Sequence, residues 1–160
     1  MLAQKFRDSP HCVRRPGGPL FTTRRRLTVV TNTLPNAAET ILICEDDSNL
    51  RTLVRLALGN GYRYVEAEDG PTALGELERG RPGLIVLDLM LPGKSGLELL
   101  DEIRKTDGGD TIPVIVISAW AHSDEESLTA GADRFVAKPF DPDELRAVAE
   151  ELLEHHGKAD

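Results

Sequence analysis

From residue 40 onward, apolar residues follow two alternating rhythms. ILIC (41–44), LIVLDL (84–89) and IPVIVIS (112–118) are unbroken apolar runs, the mark of strands buried on both faces. YRYVEA (62–67) alternates, and RFVAK (134–138) supplies a fifth short run. Between the runs the apolar period changes to that of a helix. Leu50, Leu53, Val54 and Ala57 form one stripe, stopped by Gly59 and Gly61. Ala73, Leu74 and Leu77 form a second within 71–80. Leu97, Leu100 and Ile103 form a third within 95–105, broken by Gly108 and Gly109. A short helix fits 124–130. The last spans 141–156, with Leu145, Val148, Ala149 and Leu152 inward, Asp141 as N-cap, Pro142 in the first turn and Glu144 completing a capping box.

Strand and helix thus alternate five times. Continuous apolar strands joined by helical crossovers make an α/β fold, a doubly wound five-stranded parallel sheet with helices on both faces. In such sheets polar chemistry gathers at the carboxyl ends of the strands, near the point where the strand order reverses.

Composition adjusts this picture in three places. The chain has 160 residues, 40 % hydrophobic but with only seven aromatics, so one aliphatic core is expected. No run approaches the roughly 20 apolar residues of a membrane span. Cys12 and Cys44 are too few for a disulfide framework, and Cys44 falls in the first strand as a buried thiol, which fits a cytoplasmic protein. The net charge of −8 is unevenly spread. The first 39 residues hold seven Lys/Arg and two acids, whereas the rest hold twelve and twenty-five. The acidic body argues against direct DNA binding. Residues 1–38 carry four prolines and no sustained period, and read as a disordered basic extension. A solvated tail, contact of Arg24–Arg26 with an acidic surface or nucleic acid, a transit peptide, and residues added by an upstream start all remain open for it.

The strand ends carry the chemistry. The first ends in Glu45-Asp46-Asp47, the third in Asp88, the fourth in Ser118 and the fifth in Lys138-Pro139. Singly, each has an ordinary use: Asp47 or Ser48 can cap the first helix, Ser118 can sit in a turn, and Lys138 can be solvated. Together they place carboxylates, a hydroxyl and an ammonium at one edge of the sheet. Three acids beside an apolar strand are then intelligible as ligands of a hard divalent cation such as Mg²⁺, which takes oxygen donors and offsets carboxylate repulsion.

With EDD after the first strand, LDLMLPGKSG at the third, SA after the fourth and KPF after the fifth, residues 40–156 resemble the response-regulator receiver domain of two-component signalling. The domain is assigned to 39–156, leaving 157–160 as a tail. The resemblance implies a flavodoxin-like strand order 2-1-3-4-5. It implies Asp88 as the phosphoacceptor, taking its phosphoryl group from a sensor histidine kinase or a histidine phosphotransfer protein. Mg²⁺ would be held by Asp46 and Asp88, by Glu45 mainly through water, and by the backbone carbonyl of Met90. Lys138 would pair with a phosphoryl oxygen, and small Ala119 would leave the phosphorus open. Ser118 would be the switch hydroxyl, Phe135 the switch aromatic, and Lys138–Pro139 a cis peptide. The surface around the fourth helix, fifth strand and fifth helix would then change shape for a separate downstream protein, since only GKAD follows residue 156. A monomer or phosphorylation-dependent dimer, bacterial and not itself an enzyme, would result.

Two departures qualify the match. Ser118 and Lys138 are 20 residues apart, two fewer than the family pattern, which points to a short fourth helix. Met90 and Trp120, each two residues past a site residue, occupy the positions that border the path of the hydrolytic water, so slow autodephosphorylation is expected; the plainer reading packs Trp120 on the fourth helix. His122, His155 and His156 read as solvated. Against the main reading stand an Mg²⁺-dependent phosphohydrolase, which needs a second acid where Met90 stands, and a constitutive binding scaffold, which has no need of Asp46, Asp88, Ser118 and Lys138.

Overall fold

The structure, a computed structural model, describes residues 39–120 and 123–156. The basic extension, the tail and His122 lie outside the described residues. Five strands, β1 (Thr40–Cys44), β2 (Arg63–Ala67), β3 (Leu84–Asp88), β4 (Val114–Ser118) and β5 (Arg134–Ala137), form one parallel sheet in the order β2-β1-β3-β4-β5. The helices are α1 (Ser48–Leu58), α2 (Gly70–Arg79), α3 (Gly96–Lys105), α4 (Ser123–Thr129) and α5 (Pro142–His156).

Each strand alternates its side chains between two apolar layers. Ile41, Ile43, Leu84, Val86, Ile115 and Ile117 face α1 and α5, where they meet Val54, Ala57, Leu145 and Ala149. Leu42, Cys44, Ile85, Leu87, Val114 and Val116 face α2 and α3, where they meet Ala73, Leu99, Leu100 and Ile103. Burial on both faces is what made the runs continuous rather than alternating. Cys44 is wholly buried, and loss of hydration pushes its thiol up to about 12.

Element edges differ from the sequence reading where the chain turns. Leu89 leaves β3 because its carbonyl accepts the Gly96 N–H at 3.0 Å, closing the entry to α3. Ile112 and Pro113 are buried but lie before β4. Leu53 is a correction: it is 41 % exposed rather than part of the inner face. Val54, Ala57 and Leu58 make the buried stripe of α1, and Leu53, about 100° around the helix from Val54, falls on the flank. α4 is short, at seven residues. Asp141 does cap α5, accepting the Asp143 N–H at 2.8 Å. A reciprocal capping box is formed at α3, where Ser95 and Glu98 exchange bonds with each other's backbone.

Two features aim the carboxyl edge. The Lys138–Pro139 peptide is cis. Gly96 lies so close under the end of β3 that a Cβ there would stand 2.5 Å from the Asp88 carbonyl oxygen and 2.5 Å from Leu89 Cα. Both neighbours are backbone and cannot swing aside. Gly96→Ala is therefore expected to destabilise the fold by about 1–3 kcal/mol, the usual range for overpacking. Urea unfolding checks this, and an unchanged midpoint would mean that the end of β3 yields freely.

Candidate functional site

The sheet register explains how distant residues meet. Cys44 pairs with Leu87, so Glu45 and Asp88 stand at the same level one step on. Both extend the rows that face α1 and α5 lower down, Ile41-Ile43-Glu45 and Leu84-Val86-Asp88. At the carboxyl edge those rows run past the apolar cover, and charge replaces hydrocarbon. The Glu45 N–H still continues the ladder to the Ala67 carbonyl at 3.0 Å. Asp47 then turns the chain and caps α1, accepting from Asn49 N at 2.7 Å and Leu50 N at 3.2 Å. Asp47 is thus occupied by folding, and its own N–H bonds Glu45 Oε1 at 3.1 Å.

Glu45 and Asp88 are 1 % and 2 % exposed, and Asp46 is exposed. The three offer carboxylate oxygens that all lie within 4.8 Å of one another. Two like charges about 4 Å apart repel by about 4 kcal/mol at an effective dielectric of 20. Lys138 offsets part of this, its Nζ standing 2.7 Å from Glu45 Oε2 and 2.7 Å from Asp88 Oδ2. Burial pulls the Lys138 ammonium down, but its bonds to Asp88 and Glu45 outweigh burial and leave it raised. For Glu45 burial wins: desolvation, helped by the Asp88 charge, lifts it to about 7 despite the bonds from Lys138 and the Asp47 N–H. Three carboxylates against one ammonium leave an excess of two negative charges when all are ionised. That donor set, all hard oxygens, suits a divalent cation of the Mg²⁺ or Ca²⁺ type.

The other predicted residues surround this cluster. Asp88 Oδ1 accepts the Met90 N–H at 3.0 Å, so both its oxygens are held. Ser118 is fully buried, accepts the Trp120 N–H at 3.2 Å, and offers its carbonyl to the Lys138 N–H at 2.8 Å. Ala119 is exposed. Met90 is 53 % exposed and Trp120 64 %. Phe135 is half-buried against the α2–α3 layer and pairs in register with Val116, one row below Ser118.

Sequence reading missed two contributors, Arg51 and Glu66. Arg51 Nη1 donates to the carbonyls of Glu45 at 2.7 Å and Asp46 at 3.1 Å. Its Nε meets Glu66 Oε2 at 3.1 Å, while Glu66 Oε1 takes Arg55 at 3.0 Å. Those bonds, Arg55 first, hold the Glu66 carboxyl below its ordinary range. A signal was available: a cation in the first turn of a helix opposes the helix dipole and needs another reason to be there.

Comparison with known families matches residues 41–150 to the response regulator receiver domain. The phosphate regulon transcriptional regulatory protein PhoB of Escherichia coli (strain K12) is 38 % identical over 113 residues, covering 69 % of this chain and 49 % of that protein. The response regulator MprA of Mycobacterium sp. (strain KMS) is 40 % identical over 116 residues, 71 % of this chain and 50 % of that one. The chain therefore spans about half the length of these curated relatives. Among solved structures, a CheY-like response regulator receiver domain protein from Methanospirillum hungatei superposes with a TM-score of 0.70 at 28 % identity, covering 78 % of this chain and all of the other. Sheet order, the acids at the strand ends and these likenesses agree: the chain belongs to the response regulator receiver family of two-component signalling.

Proposed function

We propose that Asp88 is the phosphoacceptor of this receiver. The observation that carries the reading is the buried Asp88 carboxylate held between Lys138 Nζ and the Met90 N–H, with Glu45 and Asp46 beside it. Receivers take their phosphoryl group from histidine kinases. Here an Asp88 oxygen attacks the phosphorus of a phosphohistidine, the P–N bond breaks, and the imidazole leaves with that electron pair and takes up a proton. The product is an acyl phosphate on Asp88.

The chain's own groups prepare that step. Two bonds fix the carboxylate in one rotamer, which lowers the entropy lost on reaching the attacking geometry. Lys138 is placed to follow a phosphoryl oxygen. Glu45, Asp46, Asp88 and the Met90 carbonyl would hold Mg²⁺, which when bound supplies neutralisation of the developing phosphoryl charge. Ser118 accepts from Trp120 and keeps its own hydrogen to donate, so it can bond a new phosphoryl oxygen without breaking that contact. A shift of Ser118 changes the space beside Phe135 and thereby the surface of α4, β5 and α5. We propose that a protein partner reads this surface. Met90 and Trp120, exposed at the rim, are proposed to screen the acyl phosphate from water.

Incubation with Mg²⁺ and a small acyl-phosphate donor is expected to add one phosphoryl group by intact mass, and none to Asp88→Asn. Modification of Asp88→Asn at the wild-type rate would overturn the assignment. Decay of the phosphorylated form is expected to speed up severalfold in Trp120→Ala; an equal rate would remove Trp120 from that role.

Mg²⁺ affinity is expected to depend on pH. Glu45 holds its proton more tightly in the native protein than when unfolded, so it favours the fold below about pH 4.5 and withdraws that support as pH rises through about 7. A cation must displace the same proton. Mg²⁺ titrations followed by Trp120 fluorescence should therefore give severalfold tighter binding at pH 8 than at pH 6. Equal affinity at the two values would mean that Glu45 is already ionised.

A further inference from the structure

The acidic loop lies beyond the end of the sheet register, where its backbone carbonyls have left the ladder. Arg51 reaches back from α1 and takes two consecutive carbonyls, those of Glu45 and Asp46, on a single nitrogen. Glu66 on β2 binds the Nε edge of the same guanidinium. The planar fork thus joins β2 to the loop backbone through one side chain. The Arg51 side chain is 14 % exposed, and its bond to the Glu45 carbonyl is partly buried.

We propose that Arg51, anchored by Glu66, is a positioning residue for the cation site: it fixes the backbone of Glu45 and Asp46 so that their carboxylates face Asp88 before a cation binds. The inference deepens the reading of Glu45, Asp46 and Asp88 as a divalent-cation site and rests on it.

Two effects of Arg51 on a bound cation have opposite signs. As a positive charge it repels the cation, so its removal should tighten binding. As a brace for two ligand residues it spares the ordering of the loop, so its removal should weaken binding. Glu66 offsets part of that repulsion, although it also takes Arg55. The two direct bonds from Nη1 to the carbonyls of Glu45 and Asp46 make the brace the larger effect. Groups that orient metal ligands without touching the metal are commonly worth 10- to 100-fold in affinity.

The test measures Mg²⁺ affinity by Trp120 fluorescence, with the thermal midpoint and the phosphorylation rate at saturating Mg²⁺ recorded in parallel. Arg51→Ala is expected to weaken Mg²⁺ binding by about tenfold, while saturating Mg²⁺ restores phosphorylation to near the wild-type rate. Glu66→Gln should weaken binding in the same direction but less. The double variant should be no weaker than Arg51→Ala alone, since Glu66 acts through Arg51. Arg51→Lys, which cannot hold Glu66 and both carbonyls in one fork, should fall between wild type and Arg51→Ala. Should Arg51→Ala prove too unstable to measure, Arg51→Lys decides, because it keeps the charge and loses the fork. Unchanged or tighter Mg²⁺ binding in these variants overturns the positioning role while leaving the cation site standing. Failure of the wild type itself to bind Mg²⁺ overturns the site and this inference together.

Discussion

One ammonium, that of Lys138, makes the carboxyl edge of this sheet possible. It stands between two buried carboxylates that belong to β1 and β3, yet it arrives from the end of β5. Its stem must therefore cross the end of β4. Ser118, which ends β4, is fully buried there, and its carbonyl takes the Lys138 N–H as the next rung of the parallel ladder. Without the ammonium, Glu45 and Asp88 would face each other in a poorly hydrated place, and the repulsion would favour protonating one of them. With it the site is poised rather than relaxed. Glu45 still lies near neutrality, and the two charges left uncompensated are those that a divalent cation can satisfy.

The opposite end of the sheet is built on another principle. Arg104 of α3 donates to the carbonyls of Gly109, Ile112 and Gly131 and pairs with Asp133, whose carboxylate also takes the Val114 N–H. There Arg104 and Asp133 meet each other and tie loops to the sheet. At the carboxyl edge the charges meet one another, and Met90, Ala119 and Trp120 stand open to solvent. The molecule thus separates the end tied by Arg104 from the end that carries the acidic cluster. A site with surplus charge is tolerable because two apolar layers and the Arg104 bonds stabilise the rest.

The fold was legible because both apolar rhythms were strong. A strand buried on two faces has no polar gaps, and ILIC, LIVLD and VIVIS have none. Leu53 was misread because a helical stripe fixes a period but not the width of the face that is covered. Of the site, the acids and Lys138 were legible from their places at strand ends. Which of Glu45 and Asp46 is buried was not, since that depends on where the strand's alternation gives way to the turn capped by Asp47. The place of Arg51 in the first turn of α1 was a legible oddity, but its partner was not: the contact with Glu66 joins a helix to an edge strand, 15 residues apart, and no local pattern encodes it.

Under the proposed function, the strand alternation also separates the chemistry from the readout. Glu45 and Asp88 continue rows that face α1 and α5. Ser118 continues the Val114-Val116 row, which faces the α2–α3 layer, and Phe135 pairs with Val116 in that same row. A change at Asp88 therefore reaches Phe135 only by way of a group that lies at the edge of both rows. Ser118 is such a group, because it ends its strand and its carbonyl holds the backbone of Lys138. Under the proposed function the hydroxyl and the lysine are two arms of one connection. Lys138 follows the charge on Asp88, and the chain that carries Lys138 is the chain that carries Phe135. Parallel pairing makes that link short, since β4 and β5 end within one residue of each other at the site.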